Sequence, residues 1–515
     1  MTSAGSPPEE RTPLLAPQRD AEATTSGGEY QTADAAQANK AASHQTVYNR
    51  FSRREKYRIV TLVAFTGLMP LFVSGSFIPS IPQMALDLNS TAEVISLAVS
   101  ISIMSTAFGT LFWATYSGFY GRRKIYLSGL PLVFIGSLGV GASTTVTALM
   151  CWRVVQAFGS AGGLSLGAGV IGDIYKLEER GTAMGIFFSA VLLGPTLAPV
   201  AGGLAAHYFS WRIMQYALGI AGLLIFLTFY AWFPETSHPG TLGVEKLSSD
   251  ERDKRTSIWR GPVVLNPLSG LALMRSPNLA AVMIASGTTL LTSYAILVPI
   301  AATIGERYNI TNEALIGACF IPMGAGNSIG APLAGSISDH LLIKYRARRG
   351  GIWVPEDRLL ITLLGAWFVV PVSVMVCGWT TVFVGGTKGL VINLMGMFFN
   401  GLGVDLVLSP IGSYTVDIMH NRSAEVMAAN AQVSFSCYPR LIRSSSYNSA
   451  SRSLLLSASI PLILPLVKSI GPGWTNTIAA GGAHVGAVLL LLTIRNGEAM
   501  RKWVDVGFTV DDESN

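Results

Sequence analysis

The stretch "ATYSGFYGRR", residues 114–123, joins two apolar runs and ends in positive charge that Lys124 continues. Basic residues in short loops mark the cytoplasmic side of a membrane protein. The flanking runs are long enough to cross a bilayer, where every backbone polar group must be satisfied within its own helix. The stretch therefore predicts a tight cytoplasmic turn between two membrane-spanning helices.

The composition of the whole chain agrees with a membrane protein. It has 515 residues, 50% hydrophobic and only 13% charged, with a mean hydropathy of +0.45. The net charge of +6 could suit nucleic acid, but Lys and Arg are spaced between the apolar runs. Basic loops beside a membrane explain them better, so we expect a lipid bilayer and no nucleic acid as partner.

Cysteine and histidine patterns exclude several other classes. The four cysteines are scattered and the six histidines are widely spread. Disulfide frameworks, metal sites and catalytic centres need several such residues close together. We expect no metal, no cofactor and no enzymatic activity.

Twelve apolar runs follow a polar tail over residues 1–50, whose composition predicts disorder. We predict an N-terminal six-helix half over 51–233, a cytoplasmic linker over 234–277, a second six-helix half over 278–495 and a cytoplasmic tail over 496–515. The predicted spans are 58–80, 93–116, 125–145, 148–172, 182–205, 213–233, 278–303, 314–337, 358–380, 387–411, 453–471 and 474–495. Basic even-numbered connections place both termini in the cytoplasm. The predicted fold class is an all-α membrane protein of two six-helix halves.

The turn after span 8, "GSISDH" at 335–340, matches the turn after span 2 in position, which indicates an internal repeat. Both turns resemble the signature G-x-L-x-D-R-x-G-R-R of the major facilitator superfamily. The first copy keeps Arg122 and Arg123 but has Gly118 where Asp339 stands in the second. The resemblance implies the major facilitator fold.

A second signature lies in span 5. "GPTLAPVAGG" is similar to the G-P-x-x-x-P-x-x-G-G signature of proton-coupled antiporters, and its fixed positions are Gly194, Pro195, Pro199, Gly202 and Gly203. Glycines let helices approach closely, and prolines bend the span. An ordinary kinked helix is the alternative reading. With "CWRVVQAFGSAGG" in span 4, similar to the family pattern R-x-x-Q-G, the chain resembles fungal twelve-span drug:proton antiporters.

Proton exchange needs charged or titratable groups inside the spans, and three candidates exist: Arg153, Asp405 and His484. Arg153 could instead extend to the headgroups from the outer end of span 4. Asp405 could be a satisfied structural carboxylate, and His484 an interhelical hydrogen-bonding residue. The sequence leaves these alternatives open.

In the family, the motif aspartate helps to lock the outward-facing state through charge contacts at the cytoplasmic face. Gly118 cannot do so, and we expect other charges to carry the cytoplasmic gate. The candidates are Arg122, Arg123, Asp173, Arg180, Asp339, Asp417 and Arg422.

The expected substrate cavity lies at the bilayer midplane between the halves. The candidate lining residues are Phe77, Gln156, Tyr294, Asn327, Phe399 and Asn400. In the outer loops, Asn89 and Asn309 begin glycosylation-type triplets.

One stretch has no counterpart in chains that resemble this one. They run nearly straight from "AEVMAANAQ" into "RSLLLSASIPL", whereas this chain has residues 433–451 between these two pieces. The hypothesis is either a loop insertion or an intron retained in the gene model. A sequenced transcript that lacks the stretch would establish the second.

The resemblance implies a proton-coupled efflux transporter that exports a small organic or amphipathic molecule, such as a secondary metabolite, a glycolipid or a drug, by alternating access. Two alternatives stay open: an organic-acid exporter, and a sensor that reuses the fold without transport. We expect a monomer with small-molecule substrate and protons as partners. We expect it in the cell membrane, with the vacuolar membrane as the alternative because Glu10, Leu14 and Leu15 resemble an acidic dileucine signal.

Overall fold

The computed structural model describes residues 50–175, 177–238, 242, 276–429 and 437–503. The tail, most of the linker and residues 433–436 lie outside it. The side chains of Lys176, Arg180, Asp417 and Arg422 and those of residues 437–451 are also outside the described part. No β-strand occurs in the ranges described, which confirms the all-α prediction.

The first half contains six spans, and two of them are broken helices. Span 1 consists of Arg53–Gly75, a 3₁₀ turn Ile78–Ser80 and Ile81–Asp87; span 2 is Ala92–Tyr120; span 3 is Arg122–Gly141; span 4 consists of Val146–Ser160 and Gly162–Ile174; span 5 is Leu177–Tyr208; span 6 is Trp211–Trp232. Span 1 carries Pro70 in its helix, and Pro79 lies in the 3₁₀ turn. Proline lacks a backbone donor and clashes with the carbonyl four residues earlier, so Pro79 explains why the helix ends at Gly75, whereas the helix continues past Pro70.

The second half repeats this order. Span 7 consists of Pro277–Leu297 and a π-helical turn Ala301–Gly305; span 8 of Glu313–Ala318 and Ile321–Arg348; span 9 of a 3₁₀ turn Pro355–Leu359, helix Leu360–Leu364, π-helical turn Gly365–Val369 and helix Val370–Phe383; span 10 of Gly386–Ala429. Helix Cys437–Trp503 holds spans 11 and 12, because Gly471 breaks it with a φ of 83°. Ten described segments are long and apolar enough to cross a membrane, and Arg452–Met500 among them contains two spans.

Span 1 and span 7 end in the same way, which supports the internal repeat. Asn89 and Asn309 have φ values of 49° and 54°, in the left-handed region that asparagine tolerates better than most side chains. The next N–H donates back to the helix: Ser90 to the Ala85 carbonyl at 2.9 Å, and Ile310 to the Gly305 carbonyl at 2.8 Å. The asparagines therefore have a conformational reason to be there. Both are exposed, and their glycosylation stays a prediction.

The halves meet on the outer side, opposite the basic turns. Span 5 packs against span 8, and span 2 against span 11. One apolar cluster takes residues from both halves, including Phe77, Ile81, Met84, Ile296, Phe320 and Met323. Polar contacts also join the halves there: His207 Nδ1 lies 3.1 Å from Glu313 Oε2, and Lys468 forms an ion pair with Glu93. The outer side is closed in this conformation.

Candidate functional site

Arg153 in span 4 is fully buried in the first half, so it does not extend to the headgroups. Its Nη1 donates to the Val73 carbonyl in span 1 at 3.1 Å and to Gln156 Oε1 at 2.9 Å. The Phe77 ring covers the guanidinium, with its centroid 4.2 Å from Cζ. Among the described residues, the Nε and Nη2 groups of Arg153 have no hydrogen-bond partner. A buried cation with open donors is costly, so this residue fits a functional role.

Gln156 connects Arg153 to two further spans. Its Nε2 donates to Ser137 Oγ in span 3 at 2.8 Å and to Gln215 Oε1 in span 6 at 3.0 Å. All four polar side chains of this network are buried, namely those of Ser137, Arg153, Gln156 and Gln215. Gln156 is therefore held within the first half rather than at an open cavity wall. Gln215 is a residue that sequence reasoning missed, and its signal was a single amide in an otherwise apolar run.

Asn400 in span 10 is the counterpart of Gln156, because each lies 17 residues before the aspartate that ends its span, Asp417 or Asp173. It is fully buried. Its Oδ1 accepts from Ser293 Oγ at 2.9 Å, and its Nδ2 donates to Thr292 Oγ1 and Ser373 Oγ, both at 3.3 Å. Gln156 thus connects spans 3, 4 and 6 of the first half, and Asn400 connects spans 7, 9 and 10 of the second half.

Asp405 lies in the same span, about one and a half turns closer to the cytoplasmic end, and is 9% exposed. Its Oδ2 has no hydrogen-bond partner among the described residues. Arg452 of span 11 is close enough to act electrostatically on Asp405 and on Tyr294 of span 7. Two candidates from different regions of the sequence, Asp405 and Tyr294, therefore lie within electrostatic reach of the same cation, Arg452. Sequence reasoning gave Arg452 no role, since it lies directly before the predicted span 453–471.

The other interior candidates are more dispersed. Asn327 of span 8 is half-buried and its Oδ1 lacks a partner, whereas Phe399 is 46% exposed. His484 packs edge-on against Trp367 of span 9, with ring centroids 5.5 Å apart, and its Nδ1 lies 2.9 Å from the Ala480 carbonyl. The ring contact links span 12 to span 9, whereas the Ala480 carbonyl belongs to the helix of His484 itself, so the described residues show no interhelical hydrogen bond at His484. These contacts do not join it to Arg153 or Asp405.

The span 5 signature lies where span 5 meets span 1 and span 8. A side chain at Gly202 would collide with the Ser76 carbonyl oxygen in span 1, and one at Gly203 with the Glu313 carbonyl oxygen in span 8. A side chain at Gly75 would come close to Ala198 and Pro199, and one at Gly194 would collide with Leu71. Since span 8 belongs to the other half, the signature forms part of the seam between the halves.

The cytoplasmic turn "ATYSGFYGRR" is held by charges within the first half. Arg122 Nε donates to Asp173 Oδ2 at 2.9 Å, and both side chains are buried. Glu235, which follows span 6, accepts from the backbone N–H groups of Arg122 at 2.9 Å and Arg123 at 3.1 Å. Gly121 has a φ of 98°, and a side chain there would meet the Glu235 carboxylate. The glycine and the acid together shape this turn.

In the second half Asp339 forms a different pair, with Arg358 at the start of span 9. Nearby Arg349 donates to both oxygens of Asp357, at 2.5 and 2.7 Å, and these hydrogen bonds raise the pKa of Arg349. The expected gate residues therefore divide into one cluster in each half. The side chains of the other three candidates, Arg180, Asp417 and Arg422, lie outside the described part of the structure.

Glu235→Gln is expected to destabilise the turn, because an amide offers one acceptor oxygen in place of two charged ones at the N-terminus of span 3. We expect a loss of about 1–2 kcal/mol, the usual cost of losing a charged cap. Thermal unfolding of the purified protein measures it. Glu306→Gln, at an exposed outer position, is the control. Equal unfolding temperatures for the two variants would contradict the role of Glu235.

The repeated halves, the apolar spans and the buried charges between them define a membrane transporter. The family profile described as Major Facilitator Superfamily matches residues 63–437, and the chain belongs to this superfamily. It is 22% identical to the MFS antiporter QDR3 of Candida albicans, over 88% of this chain and 80% of the relative. It is 24% identical to Citrate exporter 1 of Aspergillus niger, over 89% of each chain. Among solved structures, the human organic anion transporter MFSD10 (TETRAN) has the same fold, with a TM-score of 0.57 and 15% identity over 84% of this chain and 99% of that one.

Proposed function

We propose that this protein is a proton-coupled exporter of a small organic or amphipathic molecule that works by alternating access. The carrying observation is the buried Asp405, whose Oδ2 has no hydrogen-bond partner among the described residues and which lies within electrostatic reach of Arg452. A carboxylate that lacks a hydrogen bond and neighbours a cation can exchange a proton as its surroundings change. Similarity to an antiporter and an exporter supports this direction of transport.

The role that we propose for each charged residue follows from its position in the structure. Asp405 takes up and releases the proton, Arg153 holds the fixed charge of the first half, and the span 5 signature carries the sliding contact between halves. Arg122 with Asp173, and Asp339 with Arg358, hold the cytoplasmic turns of each half. Residues 51–233 and 278–495 act as the two moving bodies.

Organic-acid export is the second candidate. It is favoured by two cations inside the spans, Arg153 and Arg452, and by the similarity to a citrate exporter. We place the protein in the cell membrane as a monomer, and a vacuolar location is the alternative.

Strains that lack or overproduce the protein provide the test. Metabolites in the medium and in the cells are compared, and growth is scored on a panel of toxic compounds. The proposal expects a compound that leaves the medium and accumulates in the cells on deletion, or altered sensitivity to the panel. Unchanged secretion together with unchanged sensitivity would contradict export and favour a sensor.

A further inference from the structure

One edge of the Arg153 guanidinium donates hydrogen bonds, and the other edge, which we call the open edge, donates none to the described residues. Nη1 is satisfied by the Val73 carbonyl and Gln156, whereas Nε and Nη2 are buried and find no partner in the part of the chain that the structure describes. Nε–H and one N–H of Nη2 point the same way along one side of the planar group. This edge matches the two oxygens of a carboxylate, which it binds through two parallel hydrogen bonds.

The charge of Arg153 is also unmatched by the side chains that the structure describes. Its described hydrogen-bond partners are a carbonyl and an amide, and none of the ion pairs found among the described side chains includes it. Arg122, by contrast, is equally buried but pairs with Asp173. Uncompensated burial of a cation is expensive, and a bound anion would remove that cost. The site therefore lacks one negative charge.

The cover over Arg153 belongs to the broken part of span 1. Phe77 lies between Gly75, where the first helix of span 1 ends, and the 3₁₀ turn Ile78–Ser80. It stacks on Arg153 and belongs to the apolar cluster that closes the halves on the outer side. Separation of the halves on that side would shift the ring. The open edge of Arg153 then gains access to the space between the halves.

We propose that the Nε and Nη2 edge of Arg153 binds the carboxylate of the exported molecule, and that this molecule carries the carboxylate on an apolar or aromatic body. The inference rests on the proposed function and names its substrate class. One open edge next to Phe77 suits a single carboxylate beside apolar surface. The neutral side chains Gln156, Ser137 and Gln215 fix the position of Arg153 without competing for its charge.

Matched pairs of probes test the site on the purified full-length protein. The probes are benzoate with benzamide and decanoate with decanamide, which differ in charge but hardly in shape. Binding is measured by thermal shift and tryptophan fluorescence. We expect at least one carboxylate to bind better than its amide, and this preference to weaken on the order of tenfold or more in Arg153→Gln and partly in Arg153→Lys, which keeps charge but loses the fork.

Arg307→Gln is the matched control, because it removes one exposed cation on the outer side and should keep the preference. Equal binding of acid and amide by the wild type, or a preference that survives Arg153→Gln, would overturn the proposal. Unchanged amide binding shows that a variant is folded. Proton-driven exchange by the wild type is measured in parallel, so loss of that activity with an intact carboxylate preference would reject the proposed function alone.

Discussion

Asp405→Asn abolishes proton-driven export in our expectation, while exchange of substrate without a pH gradient continues. Asparagine keeps the size of the side chain but cannot gain or lose a proton near neutral pH. The amide that replaces the carboxylate therefore cannot carry a proton. In the wild type, the carboxylate oxygen Oδ2 is buried and has no hydrogen-bond partner among the described residues. Export driven by a pH gradient and substrate exchange at equal pH are both measured in proteoliposomes.

Stability should change as well, because Arg452 loses the negative charge that acts on it. We expect a loss of about 1 kcal/mol or less, because Arg452 acts on Asp405 through charge alone and no ion pair or hydrogen bond joins the two among the described residues. Asp405→Asn with Arg452→Gln should recover most of that loss but none of the coupling. Proton-driven export retained by Asp405→Asn would show that another group carries the proton.

Gly203→Ala is expected to have the second large effect, on the seam between the halves. The added methyl group would collide with the Glu313 carbonyl oxygen and approach Gly317 in span 8. Backbone cannot yield as a flexible side chain does, so the outer closed state should lose about 1–3 kcal/mol, as overpacked contacts usually do. Transport rate and unfolding temperature measure this.

Gly481→Ala is the matched control, because a side chain at Gly481 in span 12 meets nothing within 4 Å. Alanine there should stabilise the helix by about 0.5–1 kcal/mol and leave transport unchanged. Equal transport by Gly203→Ala and Gly481→Ala would show that close contact between spans 5 and 8 is not needed.

The predicted spans follow from the sequence because each helix must satisfy its own backbone in lipid, which makes apolar length a local signal. The chain continues helically beyond several predicted ends, as in span 10, because polar residues extend a helix past the bilayer. Arg122 and Asp173 were placed together in one gate, and they form an ion pair. Asp339 was placed in the same gate but pairs with Arg358 instead.

The residues that sequence reasoning missed are those whose roles depend on tertiary contacts. Glu235 lies 112 residues from Arg123 and contacts it only after six spans have packed. Gln215 and Arg452 gain meaning from neighbours on other helices, Gln156 and Asp405, which no local pattern encodes. Asn89 and Asn309 carry a motif for modification, yet their left-handed conformation explains them independently.

Proton movement caused by substrate tests the central claim most directly. Inside-out vesicles that contain the protein are acidified inside, and the pH gradient is followed while the compound identified from the secretion experiment is added outside. We expect the wild type to dissipate the gradient as the compound enters and Asp405→Asn to leave it intact. Entry of the compound into wild-type vesicles with no proton movement would contradict proton-coupled export.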